Sequence, residues 1–216
     1  NTLEVINQFK GHTQVVIINQ ENQGLANSLN TGISKASGQL IARQDHDDIS
    51  LMNRLEKQVE FLKTHQSISI VGTWAQIIEE NTLSNRILKH PISDNEIKTL
   101  LLFNSPFVHP SVMFKKYSFD QVGGYTTTPE LQPPEDYELW SRFATEFKCA
   151  NLNEVLIQYR ELSSSTSRDN GLNFTSKMIK SSLKYMQCLK PRHDITYLEL
   201  THLYHGLPSQ NKQGLK

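Results

Sequence analysis

The 216-residue sequence predicts an α/β domain with a mixed sheet. Three observations carry that expectation. "QVVIIN" at 14–19 and "QLIAR" at 39–43 are short aliphatic runs of the kind that form buried strands. Between them Leu25, Leu29, Ile33 and Ala36 lie on one helical face. Strand, helix and strand in that order make a parallel crossover unit.

The remaining elements follow in order. "TLEVINQF" at 2–9 has helical spacing through Leu3, Ile6 and Phe9. "NQG" at 22–24 is turn chemistry, and Gly38 is placed to end the helix in a left-handed cap. Ser50 can cap a helix carrying Leu55, Val59 and Leu62. "SISIVGTWAQII" at 67–78 reads as a strand bent at Gly72, with a polar hairpin over 79–90. "SDNE" at 93–96 is a capping box opening a helix with Ile97 and Leu101. "PSVMF" at 110–114 is a strand and "GGY" at 123–125 a turn. "EDYELWSRFATEF" at 135–147 is a helix with Leu139, Phe143 and Phe147 on one side, and "VLIQYR" at 155–160 a strand. Residues 172–190 and 194–205 read as two helices. The expected division is a domain over 1–168 and a C-terminal helical extension over 169–216.

Composition narrows the function classes. Hydrophobic residues make up 37 %, enough for a core. Lys plus Arg and Asp plus Glu both number 22, so no net field draws nucleic acid. Two cysteines, Cys149 and Cys188, form no disulfide framework or zinc motif, and the expected setting is reducing and cytosolic. No apolar run approaches the ~20 residues that span a bilayer. The helix at 172–190 carries basic residues beside Phe174, Met178 and Leu183. Such a face either packs on the domain with its lysines in water or contacts an anionic membrane surface peripherally.

The chemistry gathers in "RQDHDD" at 43–48, directly after the second strand. Asp45, Asp47 and Asp48 repel one another unless a cation neutralises them. Oxygen-only ligands suit a hard ion, Mg2+ or Mn2+. The plain alternative is a solvated acidic turn, with His46 exposed. A second acidic site, Glu135 and Asp136, opens a helix after a Pro-rich loop. Carboxylates at a helix N-terminus are ordinary, and they can also supply a general base beside a bound phosphate.

In this order, "NQGLANSLNTGISKASGQLIARQDHDD", "HPSVMF", "VGGY", "PPEDYELWSRFA" and "YRELSSSTSR" resemble the inverting nucleotide-sugar glycosyltransferases of family 2, with the GT-A fold. The resemblance runs from about residue 1 to about residue 168. It implies a D-x-D metal site at Asp45 and Asp47, with Asp47 the direct ligand, and a catalytic base at Asp136. The implied partners are a nucleotide-sugar donor, most simply a UDP-sugar, and a glycan or lipid-linked glycan acceptor of bacterial surface polysaccharide. The implied place is the cytoplasm or the inner face of the plasma membrane. Glu135 joins the donor site in this reading, and Arg43 could touch the diphosphate or the base, or only pair with a local Asp. His109 could line the sugar site or be structural, and Trp140 could stack on a sugar or belong to the core. Tyr159 and Arg160 match the family's Y-R pair, whereas Leu162 stands where relatives often carry a histidine. The family's leading strand, helix and strand have no counterpart ahead of Asn1. The chain is therefore expected to be a section of a longer polypeptide or to be completed by another chain, and alone to bind nucleoside diphosphate weakly. Two other classes remain open from the residues: a metal-dependent nucleotidyltransferase, and a non-catalytic sugar- or nucleotide-binding fragment.

Overall fold

Two long strands, β3 (Ile68–Glu79) and β6 (Lys148–Glu161), run parallel down the middle of a six-stranded sheet. The structure is a computed structural model and describes residues 2–79, 81–131, 134–161, 171–189, 196 and 201. β5 (Met113–Lys115) pairs antiparallel with β3 on one side and with β1 (Leu40–Ala42) on the other. β2 (Ile49–Ser50) closes the far side against β6, and β4 (Thr82–Leu88) folds back on β3 as a hairpin. The sheet is therefore mixed, as its sequence predicts. β3 buries Ile70, Val71, Ala75, Ile77 and Ile78, a near-continuous apolar run of the sort a strand covered on both faces needs. At Gly72 a side chain would land on Asn151 Oδ1 and 2.7 Å from Phe107 Cδ1. Asn151 cannot retreat, because its amide donates to Pro91 O at 2.6 Å and Pro106 O at 3.0 Å.

The core lies between the sheet and its helices. α6 (Glu135–Glu146) supplies Tyr137, Leu139, Trp140, Phe143 and Ala144. α2 (Leu25–Lys35) adds Ala26 and Ile33. α4 (Asp94–Leu100) starts at the expected capping box, with the Glu96 carboxylate accepting the Ser93 N–H at 3.2 Å. α5 (Lys116–Gln121) is a short helix that the apolar pattern of the sequence does not predict. α7 (Gly171–Cys188) packs on α6, with Tyr185 inside the main core and Ile179 and Met186 buried beside it. Lys184 reaches Glu138 at 3.4 Å, so one lysine of the basic face is committed to the fold. The boundary expected at 168 and nearly all of the helix expected at 194–205 lie outside the described residues. Among the described residues no helix is long and apolar enough to cross a membrane.

Several local expectations need correction. α1 (Thr2–Asn7) forms, yet it buries nothing, and Leu3, Val5, Ile6 and Phe9 are exposed. Residues 14–19 are not a strand. Val15 to Ile18 are exposed, and among the described residues no strand lies beside them. β-branched residues favour a strand only where a ladder partner and a covered face exist. The parallel crossover is consequently absent, and β1 pairs antiparallel, from Leu40↔Lys115 to Ala42↔Met113. α2 stops before Gly38, with Ala36 extended (φ −69, ψ 132) and its N–H returned to Gly32 O and Ile33 O. Ser50 lies in β2 rather than capping α3 (Arg54–Thr64), which follows Asn53. α3 buries Arg54, Gln58 and Leu62 and leaves Leu55 52 % exposed. Of the apolar stripe expected, Leu62 is buried and Val59 packs beside it. Arg54 and Gln58 take the inward place in the first turns because the sheet beneath presents carbonyls that need donors.

Candidate active site

The acidic loop begins where β1 ends. The Arg43 N–H still donates to Val112 O at 3.0 Å, so the chain leaves the sheet at a fixed point. The Arg43 side chain is buried and ion-paired with Asp45. Carboxylate oxygens of Asp45, Asp47 and Asp48 all lie within 4.8 Å of one another. Asp48 Oδ1 accepts the backbone N–H of Arg160 at 2.8 Å, while Asp48 Oδ2 is buried with no hydrogen-bond partner. Burial pushes the Asp48 carboxyl up to about 6. The Arg160 N–H opposes that rise, and Asp45 and Asp47 reinforce it. His46 points to solvent, 3.9 Å from Asp47. Three crowded oxygen donors, one of them buried and unpaired, fit a hard divalent cation.

Arg160 and Arg54 brace this loop from two sides. Arg160 Nε donates to Asp47 O at 3.0 Å, and its Nη1 reaches Asn81 Oδ1 at 2.6 Å in the β3–β4 turn. Arg54, fully buried, donates to Arg43 O at 2.7 Å. Arg54, Gln58 and Gln44 are not singled out by the sequence pattern. Polar residues at 54 and 58, four apart, were the available signal, and the nearby apolar stripe obscured it.

The second acidic site sits at the N-terminus of α6. Asp136 Oδ1 accepts the Tyr137 N–H at 2.8 Å, and part of Asp136 remains open to solvent. Burial, and then the neighbouring Glu135, push the Asp136 carboxyl up to about 7. His109 Nε2 bonds the Tyr125 hydroxyl at 2.8 Å, and its Nδ1 lies 3.9 Å from Glu135. Burial, with Arg43 nearby, holds His109 well below its ordinary value. Tyr125 is itself clamped, its N–H donating to Asn30 Oδ1 and its carbonyl accepting from Asn30 Nδ2, both at 2.9 Å. Trp140 is fully buried and meets His109 edge-on, with ring centroids 5.7 Å apart. Of the two roles open to it, the structure gives the core one: no ring face is free for a sugar.

The two acidic sites, far apart in sequence, share one electrostatic neighbourhood. The Asp45 charge acts to raise Glu135, and the Arg43 charge acts to lower Asp48, Glu135 and Asp136. Arg43 is thus a buried cation, paired with Asp45, whose charge acts on both groups of carboxylates. Such a site can place a cation-bound anion at one end and a proton acceptor at the other.

The mixed sheet, with an acidic loop after a short strand and a carboxylate pair opening a helix, has the fold of solved GT-A glycosyltransferase structures. A solved structure of S. aureus TarS 1-349, in complex with UDP-GlcNAc, superposes with a TM-score of 0.65 at 12 % identity, over 94 % of this chain and 58 % of that one. Residues 1–123 match the model of glycosyl transferase family 2, and the chain belongs to that family. It is 33 % identical over 204 residues to EpsE of Bacillus subtilis (strain 168), covering 91 % of this chain and 71 % of that protein. It is 34 % identical over 192 residues to the O-antigen biosynthesis glycosyltransferase WbnJ of Escherichia coli, covering 86 % and 69 %. The chain thus spans about two thirds of these relatives and somewhat over half of the TarS chain.

Proposed function

We propose that this chain transfers a sugar from a nucleoside-diphosphate donor to a hydroxyl of a growing bacterial surface glycan, with inversion at the anomeric carbon. The observation that carries the reading is the pairing of a three-carboxylate loop with a separate carboxyl, Asp136, pushed up to about 7. A base with that value is matched to neutral pH, and positioned general bases contribute ~100- to 10,000-fold. Asp136 takes the acceptor proton as the acceptor oxygen bonds to the anomeric carbon. The bond from that carbon to the diphosphate oxygen breaks on the opposite side, and the nucleoside diphosphate leaves with its electron pair. Asp47 and Asp45, with Asp48 beside them, would hold Mn2+ or Mg2+. When bound, that ion supplies Lewis-acid stabilisation of the diphosphate charge. Arg43, paired with Asp45, also acts to lower Glu135 and Asp136 and so offsets the repulsion between the two sites. Glu135 and His109 form the wall beside Asp136.

A UDP-sugar is the donor favoured, since TarS is solved in complex with UDP-GlcNAc. A surface-polysaccharide acceptor is favoured by the name of WbnJ. The test is incubation of the full-length protein with Mn2+, a panel of UDP-sugars and oligosaccharide acceptors. Release of UDP and a product of inverted anomeric configuration by NMR is expected. Release of pyrophosphate, or a retained configuration, would overturn the reading.

A further inference from the structure

Helices against a sheet normally bury apolar groups, yet α3 turns Arg54 and Gln58 inward, at 1 % and 0 % exposure. Gln58 Nε2 donates to Val71 O at 3.1 Å and Ser111 O at 2.8 Å, and Gln58 Oε1 accepts from Arg54 Nε at 3.1 Å. That fixes the guanidinium plane relative to the sheet. Apart from a long Nη2 bond to Val112 O at 3.4 Å, the remaining donors of Arg54 fan out over one target. Nη2 bonds Arg43 O at 2.7 Å, where the acidic loop begins. Nη1 bonds Gln44 Oε1 at 2.8 Å and Ser50 Oγ at 2.7 Å, where the loop ends. Gln44 carries the hold further, because its Nε2 donates to Asp45 O at 2.9 Å and Asp48 O at 3.0 Å, one carbonyl before His46 and one after Asp47.

A buried guanidinium is costly unless paired. Among the described residues no carboxylate lies within ion-pair distance of Arg54, and burial lowers its value to about 10, with Arg43 adding to the fall and Asp48 opposing it. An arginine serving only to satisfy carbonyls could be replaced by neutral donors. Here the charge acts on Asp48, one of the three crowded carboxylates. We infer that Arg54, working through Gln44, is a positioning residue: it fixes the backbone of the acidic loop and offsets its negative charge, so that Asp45, Asp47 and Asp48 converge before any cation arrives. The inference rests on the cation-site reading above only for its functional consequence.

Amide hydrogen exchange on the cation-free full-length protein reads the positioning directly. The Arg43 N–H, bonded to Val112 O, and the Leu51 N–H, bonded to Leu156 O, bracket the loop. In Arg54→Lys and in Gln44→Leu these two amides should exchange at least tenfold faster, while the central amides of β3 and β6 keep their protection. Gln44 is exposed, so its substitution spares the core and decides the matter if Arg54→Lys fails to fold. Unchanged exchange at Arg43 and Leu51 in a folded variant overturns the inference. So does loss of protection throughout the sheet in Gln44→Leu, which marks a merely structural role. Mn2+ titration should show binding weakened ~10- to 100-fold in both variants, the usual effect of losing outer partners of a metal site. Asp47→Ala should abolish Mn2+ binding and leave the bracketing amides untouched. A wild type that binds no Mn2+ would sink the cation reading, and the exchange result would still decide the role of Arg54.

Discussion

Asp48 accepts the backbone N–H of Arg160 at 2.8 Å, joining the acidic loop to the end of the central strand β6. That bond sorts the three carboxylates. Asp45 is paired with Arg43 and one oxygen of Asp48 accepts from Arg160, whereas among the described residues the basic group nearest Asp47 is the exposed His46 at 3.9 Å. Asp47 is therefore the carboxylate most free to bind a cation.

Asp47→Ala should remove Mn2+-dependent binding of UDP and leave the melting temperature within a degree or two of wild type. Deleting a partly exposed loop side chain opens no core cavity. Calorimetry with and without Mn2+ reads the first effect. Cation-dependent UDP binding that survives in this variant would remove Asp47 from the site.

Asp136 yields two linked pH effects. Activity should rise as pH passes about 7, because the carboxylate is the working form. Stability should move the other way. The folded value is raised above the unfolded one, so this group's contribution is fully present below about 4 and lost as pH rises through about 7. Asp136→Asn is neutral throughout, and its stability relative to wild type should grow across that window while kcat falls by ~100-fold or more. Urea titrations at pH 4.5, 6 and 8 measure the gap. A constant gap would mean that Asp136 is not held neutral by the fold.

How much of this was legible in the sequence depends on where each interaction closes. The Ser93–Glu96 capping box and the helix over 135–146 are local, and both appear where expected. The carboxylate clusters were visible because charge beside an apolar run breaks the pattern. Arg54 and Gln58 were not, since Leu55, Val59 and Leu62 offered a competing face. The choice between them is made by carbonyls of Arg43, Val71 and Ser111, which only the fold brings together. The His109–Tyr125 bond is equally non-local. Residues 14–19 show the reverse error, a strong local preference with no ladder partner among the described residues to realise it.

Gly72→Ala should destabilise the protein by about 1–3 kcal/mol through overpacking. The new methyl meets Phe107 on one side and the doubly bonded Asn151 amide on the other. Adding Asn151→Ala makes room but strands the Pro91 and Pro106 carbonyls, so the double variant should be no more stable than Gly72→Ala alone. Chemical denaturation of all three variants tests this, and a Gly72→Ala protein as stable as wild type would refute the close approach.

Glu138 and its two cations make the last prediction. Its carboxylate is 1 % exposed and accepts Arg142 Nε at 2.9 Å, with Lys184 more distant at 3.4 Å. Arg142 also donates to Gly124 O at 2.7 Å and to Val122 O, gripping the turn in which Gly123 and Gly124 take φ of 83° and 72°. Tyr125 follows that turn and meets His109. Removing the carboxylate leaves Arg142 without its counter-charge, and breaking a buried pair from one side costs ~3–5 kcal/mol. Arg142 is 23 % exposed, so water recovers part of that and Glu138→Ala should cost about 3 kcal/mol. Lys184 is half exposed, and Lys184→Met should cost under about 1 kcal/mol. The loosened turn should also release the Tyr125 hydroxyl from His109. Glu138→Ala should therefore lose activity beyond its unfolded fraction, and Lys184→Met should not. Equal stability losses in the two variants would show that the α6–α7 contact, rather than the Arg142 clamp, is what Glu138 serves.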